Sequence, residues 1–578
     1  MNKNKLNIWL TILVLLVLIA PSHVIDGDTP TTVDEPWWVI SGSNYYYALT
    51  HRDFANTLYD YHPAVTTTWI VTAGMLSYFP EYRGFGQGYF DVRKPKFEEF
   101  LRENGKEAID LVRNSRLIQT ALILALALLG FYLLQLLVDQ RMAFLAVALA
   151  MLDPFFLGHS RLLNHEGMLA MFVLVSFLGM QVYLNKDRRL IYLLISGAMF
   201  GCAQLTKSSS VVVIPLFGLI LFVGLFRQNE RSTGAKIGDA VKTFAIWLGA
   251  AALVYFILWP GMWVAPGKML SGVYGNAFSY AFQGARLDVT RELQPSSFNL
   301  AAGFDGVFQY VWSWVDSSTL ITWFGLVFAA FILFSKDQQR LTAPIKSTLA
   351  YLAVLGGLFI AMFGVAQGRN SPHYILSSYV AFNVMAGIGW GYMLLRAQSR
   401  WAWLSKTYAA ISAVVVLIAL QIGFGLPYAP YYFTYKNPFA AQAATLGYGE
   451  GLSQAAEYLA EKPNAQDIRA YVYNGMGTFS FYFPGQTLVL KRVNVFNDDF
   501  VTITTELSSS DYLVLYPITR RIHPETEKIL GELEGVVEPE KVIYVNGLEY
   551  IQIYRVADIP ESVYEALLKK HKEPEALP

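Results

Sequence analysis

Long apolar runs alternate with short polar gaps along most of this chain. A helix needs about 20 apolar residues to cross a bilayer. Runs of that kind are read near residues 6–22, 117–138, 142–158, 167–184, 190–206, 210–226, 243–259, 319–335, 347–366, 374–395 and 408–426, about eleven spans in all. A further apolar stretch, 66–79, is short for a span and reads as interfacial or re-entrant. The first run follows Lys3 and Lys5, as a signal peptide would. No small-x-small cleavage site lies near Pro21, so it reads as an uncleaved span.

The polar gaps fall into two sets. One holds Lys3 and Lys5, Arg141, Lys186, Arg188 and Arg189, Arg227, Arg231, Lys236 and Lys242, Lys336, Arg340 and Lys346, and Arg396, Arg400 and Lys406. These are alternate gaps, as the eleven-span count demands. The positive-inside rule expects them, and the N-terminus, in the cytoplasm. The opposite short gaps carry only Arg161, Lys207 and Arg369. All eight histidines (His23, His51, His62, His159, His165, His373, His523 and His571) fall on that outer side. Two loops, about 23–116 and 260–318, and a tail, about 427–578, join them there.

The tail changes its periodicity. EGLSQAAEYLAEK and PETEKILGEL read as helices, while IRAYVYN, TLVLK and YLVLY read as buried strands. KVIYVNGLEYIQIYRV reads as a hairpin turning on Asn546-Gly547. The expected fold class is a polytopic α-helical membrane protein with a transmembrane core over 1–426. A C-terminal extracytoplasmic α/β domain over 427–578 completes it.

Composition agrees. At 54% hydrophobic residues and a mean hydropathy of +0.35, the chain is too apolar for a soluble enzyme and too polar for spans alone. A net charge of zero points to no nucleic-acid partner. The one cysteine, Cys202, excludes an intrachain disulfide.

The outer side concentrates the candidate chemistry. Asp34 and Glu35, in TTVDEPWW, are either a solvated helix start or an acid pair holding a general base near the bilayer. His62, in YHPAVTTTW, is either part of a turn or a hydrogen-bond partner to that acid pair. Arg161 and Glu166, in SRLLNHE, are either a structural ion pair or a phosphate-binding cation with a second carboxylate. His62, His165 and Glu166 could hold a divalent metal, although no compact His spacing supports one. Lys207, in LTKSSS, is either a snorkelling lysine or a point charge for a lipid phosphate. Arg369 and His373, in QGRNSPHY, repeat that choice at another span end. The outer aromatics, Trp37, Trp38, Trp69 and Trp259 among them, serve either an interfacial belt or sugar stacking. No P-loop, GxGxxG, GxSxG, HExxH or CxxC framework is present.

Taken in order, the DE pair, HPAVTTTW, SRLLNHE, LTKSSS and RNSPHYIL resemble a bacterial-type member of the protein O-mannosyltransferase family, over about residues 1–426. That family belongs to the C-fold membrane glycosyltransferases (prokaryotic family 39 type), alongside the aminoarabinose transferases. The passage GYGEGLSQAAEYL is similar to the ends of some prokaryotic members. The resemblance implies a polyprenyl- or dolichyl-phosphate-linked sugar as donor and its transfer, with inversion, to an acceptor on the outer face. Asp34 matches the family's catalytic base and Glu35 its neighbouring acid. Arg161 and Glu166 stand where the family places an Arg and an acid, with Glu here in place of the more usual Asp. Lys207 and Arg369 stand where members contact the lipid phosphate. RNSPHY departs from the commoner Asp-Arg-Tyr pattern, so Arg369 and His373 both compete for that role. The β-trefoil loop domain of eukaryotic members has no counterpart, which leaves the acceptor open among protein Ser/Thr, lipid and cell-envelope glycan.

The expected partners are thus a lipid-linked sugar, an acceptor of unknown kind and membrane lipids, in the plasma membrane of a prokaryote. No cofactor is required by this chemistry. A transporter or flippase of a lipid-linked sugar is the alternative, and it would use the same cations.

Overall fold

The structure, a computed structural model, describes residues 3–24, 29–86, 88–92, 96–227, 232–283, 300–335, 342–366, 371–404, 406–440, 447–521 and 523–572. The chain divides into two compact units. The first comprises Met1–Ile25, Gly42–Gly86 and Ser115–Gln442, and the second Asp26–Ser41, Gln87–Asn114 and Ala443–Pro578.

The first unit is helical. Seven helices among the described residues are long and apolar enough to cross a membrane: Ala108–Leu134, Glu166–Asn185, Ser208–Phe226, Thr233–Leu258, Ala343–Val365, Pro372–Arg400 and Tyr408–Tyr428. Two bent pairs qualify when each is taken whole, Gln140–Met151 with Pro154–Ser160 (63°) and Gly303–Ser317 with Leu320–Phe334 (113°). Two shorter apolar helices, Ile8–Val24 and Leu190–Thr206, complete the set. Each corresponds to one of the expected runs. The chain is a multi-pass membrane protein.

Both bends have local causes. Pro154 has no amide to donate, and the Asp153 carboxylate caps the new helix by accepting from Phe156 N at 2.9 Å. Thr319 caps the second break, its hydroxyl accepting from Thr322 N at 3.3 Å. The stretch at 66–79 is a helix, Val65–Tyr78, whose Val65, Val71 and Met75 are fully buried.

Apolar helices in lipid gain little from burying one another, so close packing of small residues has to hold them. The helix Leu376–Arg400 uses both faces this way. Gly387 and Gly391, four apart, meet the helix Gln140–Met151; a Cβ on Gly387 would lie 2.3 Å from Ala146 Cα. On the other face a Cβ on Gly389 would lie 2.2 Å from the Gly325 carbonyl oxygen. Buried polar pairs add specificity: the Thr322 hydroxyl donates to Asn383 Oδ1 at 2.6 Å and that of Thr319 to Gln421 Oε1 at 2.8 Å.

The second unit contains a five-stranded sheet of order β2-β1-β3-β5-β4. Its strands are β1 (Arg469–Tyr473), β2 (Gln486–Leu490), β3 (Tyr512–Leu515), β4 (Lys541–Val545) and β5 (Leu548–Arg555). β1 pairs in parallel with β2 and β3, and β5 is antiparallel to β3 and β4. The hairpin turns on Asn546 and Gly547, both at positive φ (51° and 76°), as a tight two-residue turn demands. The unit also takes in 26–41 and 87–114 from the long loop after the first span, while 427–442 goes with the helical unit.

Gly387→Val is expected to cost about 1–3 kcal/mol, the usual penalty for overpacking, and to lower the thermal unfolding midpoint in detergent. Gly357→Ala, where a Cβ meets nothing within 4 Å, leaves the midpoint unchanged or slightly raised. Equal effects at the two positions would remove the close-packing argument.

Candidate active site

The helical unit brings most of the polar motifs together. The helix Pro154–Ser160 ends in a turn that leads directly into Glu166–Asn185. Gln119 pins that turn, its amide donating to the carbonyls of Ser160 (3.2 Å) and Leu162 (2.6 Å). Gly167 lets the two helices approach, since a Cβ there would lie 2.9 Å from Ser160 Cα. Glu166 is therefore the first residue of its helix, and its amide donates to Asn164 Oδ1 at 3.1 Å. A carboxylate suits the positive end of a helix.

Lys207 follows the helix Leu190–Thr206 in extended backbone. Its ammonium donates to Glu166 Oε1, and the two side chains are 2% and 3% exposed. His165 Nε2 lies 3.5 Å from the same oxygen. The second oxygen, Glu166 Oε2, is buried and has no hydrogen-bond partner among the described residues. The ammonium also stands 4.1 Å from the ring centre of Tyr374 and 5.6 Å from that of Phe363, a cation–π arrangement.

Backbone pairing delivers the remaining groups. Ala64 N donates to the Thr206 carbonyl at 3.2 Å, and the hydroxyls of Thr66 and Thr206 are 2.8 Å apart. HPAVTTTW is thereby held beside LTKSSS, and the rings of His62 and His165 come within 5.1 Å. His373, from RNSPHY, lies 5.3 Å from His159, ring to ring. The buried Arg161 guanidinium stands over Tyr432 at 5.3 Å. Arg369 lies outside the described residues.

A cavity of about 310 Å³ opens here, lined chiefly by apolar and aromatic side chains. Lys207, His62, Tyr61, Tyr280, Phe363 and Tyr374 are on its wall. Tyr61 and Tyr280 stack at 4.7 Å between ring centres.

Asp34 and Glu35 belong to the other unit. Glu35 is fully buried and turns back on its own chain: its Oε2 accepts from Thr32 N at 2.7 Å and from the Thr32 hydroxyl at 3.2 Å. That is the reach-back of a capping box at the start of a helix. Asp34 is half-buried and its Oδ2 accepts from the Tyr448 hydroxyl.

His62, His165 and Glu166 adjoin one another, but among the described residues no three His, Cys, Asp or Glu side chains converge as a metal-binding group. Lys207 occupies the Glu166 carboxylate, and an ammonium on a ligand oxygen repels a cation.

Several site residues went unread in the sequence. Tyr374 lies inside the quoted RNSPHY motif and Tyr61 beside His62, but aromatic residues are so dense in these polar segments that neither carried a signal. Pairing of Glu166 with Lys207, rather than with nearby Arg161, needed the helical hairpin between them.

Removing one partner of a buried ion pair costs roughly 3–5 kcal/mol, because the other charge stays buried. Glu166→Gln and Lys207→Met should each cost about that much, and the double variant clearly less than the sum. A thermal-unfolding double-mutant cycle in detergent checks this; additive costs would mean the two charges do not interact.

Residues 111–237 match the family model described as dolichyl-phosphate-mannose-protein mannosyltransferase. No curated protein sequence matches the chain. Among solved structures, similarity extends to the S. cerevisiae protein O-mannosyltransferase Pmt1-Pmt2 complex bound to the sugar donor, with 16% identity and a TM-score of 0.35. That match covers 49% of this chain and only 36% of the yeast chain. ArnT from Cupriavidus metallidurans bound to undecaprenyl phosphate matches at 13% identity and a TM-score of 0.47, over 96% of this chain and 98% of that one. The archaeal oligosaccharyltransferase AglB from Archaeoglobus fulgidus, in complex with an inhibitory peptide and a dolichol-phosphate, matches at 12% and 0.47, over 92% and 71%. The stretch matched by the family model holds Arg161, Glu166 and Lys207, and over it this multi-pass membrane protein is similar to the mannosyltransferase family that its motifs resemble.

Proposed function

We propose that the protein is an inverting glycosyltransferase. It moves a monosaccharide, mannose or similar, from a polyprenyl- or dolichyl-phosphate carrier to an acceptor hydroxyl on the outer face of a prokaryotic plasma membrane. The acceptor is a protein Ser/Thr, a lipid or a cell-envelope glycan. One observation carries this reading: the buried Lys207 ammonium on the wall of an aromatic, apolar cavity, within the stretch that matches the mannosyltransferase family model. A carrier lipid offers an apolar tail and an anionic phosphate side by side, and few other ligands call for both features at once.

The chemistry then runs as follows. The acceptor oxygen attacks C1 of the sugar from the face opposite the phosphate. The C1–O bond to the phosphate breaks, and its electron pair leaves with the carrier phosphate. The acceptor proton passes to the Asp34 carboxylate. Attack from the opposite face inverts C1. A positioned base contributes about 10²–10⁴-fold, and cations aimed at the departing charge act most strongly where water is excluded. Lys207 and Arg161 are assigned that second role, and so are Arg369 and His373 of the RNSPHY motif. Glu166 holds the Lys207 ammonium in place and neutralises it until a phosphate arrives. The scheme needs no metal.

Purified protein incubated in detergent with a radiolabelled polyprenyl-phosphate sugar and an acceptor extract should pass the label to an acceptor and release polyprenyl phosphate. Asp34→Asn is expected to abolish that release without moving the unfolding midpoint. The double variant Glu166→Gln/Lys207→Met should bind the donor at least about tenfold more weakly, the loss expected when a charged hydrogen bond disappears. Donor that crosses a vesicle membrane without phosphate release would instead identify a flippase, and wild-type turnover in Asp34→Asn would take Asp34 out of the mechanism.

A further inference from the structure

We propose that Tyr448 and Glu450 are positioning residues for Asp34, so that the loop 447–451 orients the base of the transfer reaction. This rests on the reading of Asp34 as that base.

The loop 447–451 reads GYGEG, and its three glycines all take positive φ: 59° at Gly447, 113° at Gly449 and 83° at Gly451. Residues with a Cβ rarely adopt such backbone. At Gly449 a Cβ would also lie 3.1 Å from the Thr31 carbonyl oxygen and 2.9 Å from Thr478 Cγ2. The loop therefore lies flat against residues 31–34. Val33 N donates to the Tyr448 carbonyl at 3.1 Å, and the Tyr448 hydroxyl donates to Asp34 Oδ2.

Tyr448 is itself held from behind. Its amide donates to Glu450 Oε2 at 2.6 Å, and the Tyr516 hydroxyl donates to that same oxygen at 2.5 Å. Gly449 N donates to the Tyr516 oxygen at 3.2 Å. Tyr516 directly follows β3, the central strand, so a chain of hydrogen bonds runs from the end of that strand to Asp34. Glu450 is fully buried, and burial raises both its carboxyl and the Tyr516 hydroxyl, which keeps Tyr516 a donor. A buried carboxylate is a costly way to hold a loop; an apolar side chain would pack as well. What the carboxylate adds is orientation, since it aligns two donors at once.

A second clasp grips the other side of the same segment. Thr31 N donates to the Tyr482 hydroxyl at 2.9 Å, and the Thr31 hydroxyl donates to the Gly477 carbonyl at 2.8 Å. A Cβ on Gly477 would come within 1.9 Å of Pro36 Cγ. With the backbone clamped at 31–36, the Tyr448 bond selects one rotation of the Asp34 carboxylate. Tyr448 occupies Oδ2 and leaves Oδ1 for the acceptor proton. Misplacing a base by a small amount costs rate, not donor affinity.

The test uses the full-length protein in detergent with the radiolabelled polyprenyl-phosphate sugar and an acceptor extract. It measures kcat, KM for the donor and the thermal unfolding midpoint for Tyr448→Phe, Glu450→Gln and Asp34→Asn. Tyr448→Phe should lower kcat by about 10- to 100-fold, less than loss of the base itself, with donor KM within about twofold and the midpoint unmoved. Glu450→Gln, which keeps the shape of the loop, should lower kcat in the same direction at unchanged donor KM. A kcat within twofold of wild type in both variants overturns the proposal, as does a loss of kcat that tracks a loss of folded protein in both. Asp34→Asn separates the two levels: full activity there sinks the catalytic reading, whereas an inactive Asp34→Asn beside an active Tyr448→Phe sinks only the positioning role.

Discussion

Two opposite charges buried at the end of a helical hairpin set the terms for the helical unit. Neither Glu166 nor Lys207 is affordable alone in an apolar interior, and each is tolerated because it meets the other. Their meeting follows from the geometry of the hairpin. Glu166 opens a helix of 20 residues and Lys207 follows the next one, of 17 residues. At 1.5 Å per residue, the two lengths are close enough for the start of one to lie beside the end of the other. The acid then occupies a positive helix end and the cation a negative one, so both helix dipoles favour the arrangement. Gly167 and Gln119 fix the turn before Glu166, and the extended backbone at Lys207 brings its side chain back toward it.

The same pair connects packing to chemistry. Lys207 is at once an ion-pair partner, a cation over the Tyr374 ring and a wall group of the cavity. A charge held this way is preorganised: no side-chain order has to be gained when an anion arrives. Glu166 Oε2, without a hydrogen-bond partner among the described residues, and the neighbouring His165 make the carboxylate the natural place for charge to readjust. In the second unit the corresponding constraint is backbone, not charge. Glycines at positive φ allow two loops to close on residues 31–36, and the acidic pair divides its labour there. Glu35 is used up in capping its own helix, while Asp34 keeps a carboxylate oriented by a tyrosine.

Much of the architecture was legible along the chain because a membrane span is a local property. Twenty consecutive apolar residues need no tertiary partner to be recognised, and all the expected runs return as helices, bent pairs included. The strands of the tail were legible for the same reason, as was the Asn546-Gly547 turn. Non-local relations were not. The helix Gly303–Ser317 was read as loop because it is amphipathic and ends in a bend. The grouping of 26–41 and 87–114 with the tail joins segments hundreds of residues apart, which no periodicity records.

The candidate residues show where that boundary lies. By itself the sequence determined which side chains carry unusual chemistry: an acid pair, a lone lysine and clustered histidines in the polar gaps of an apolar protein. It could not determine their partners. Lys207 had a carboxylate, an aromatic ring and a lipid phosphate all open to it, and only the folded hairpin chose Glu166 and Tyr374. Tyr448 carried no visible relation to Asp34, because 414 residues separate them. The physical reason is the same throughout: hydrophobicity and backbone propensity act over a turn or a strand, whereas a hydrogen bond or ion pair depends on distances that only the packed chain supplies.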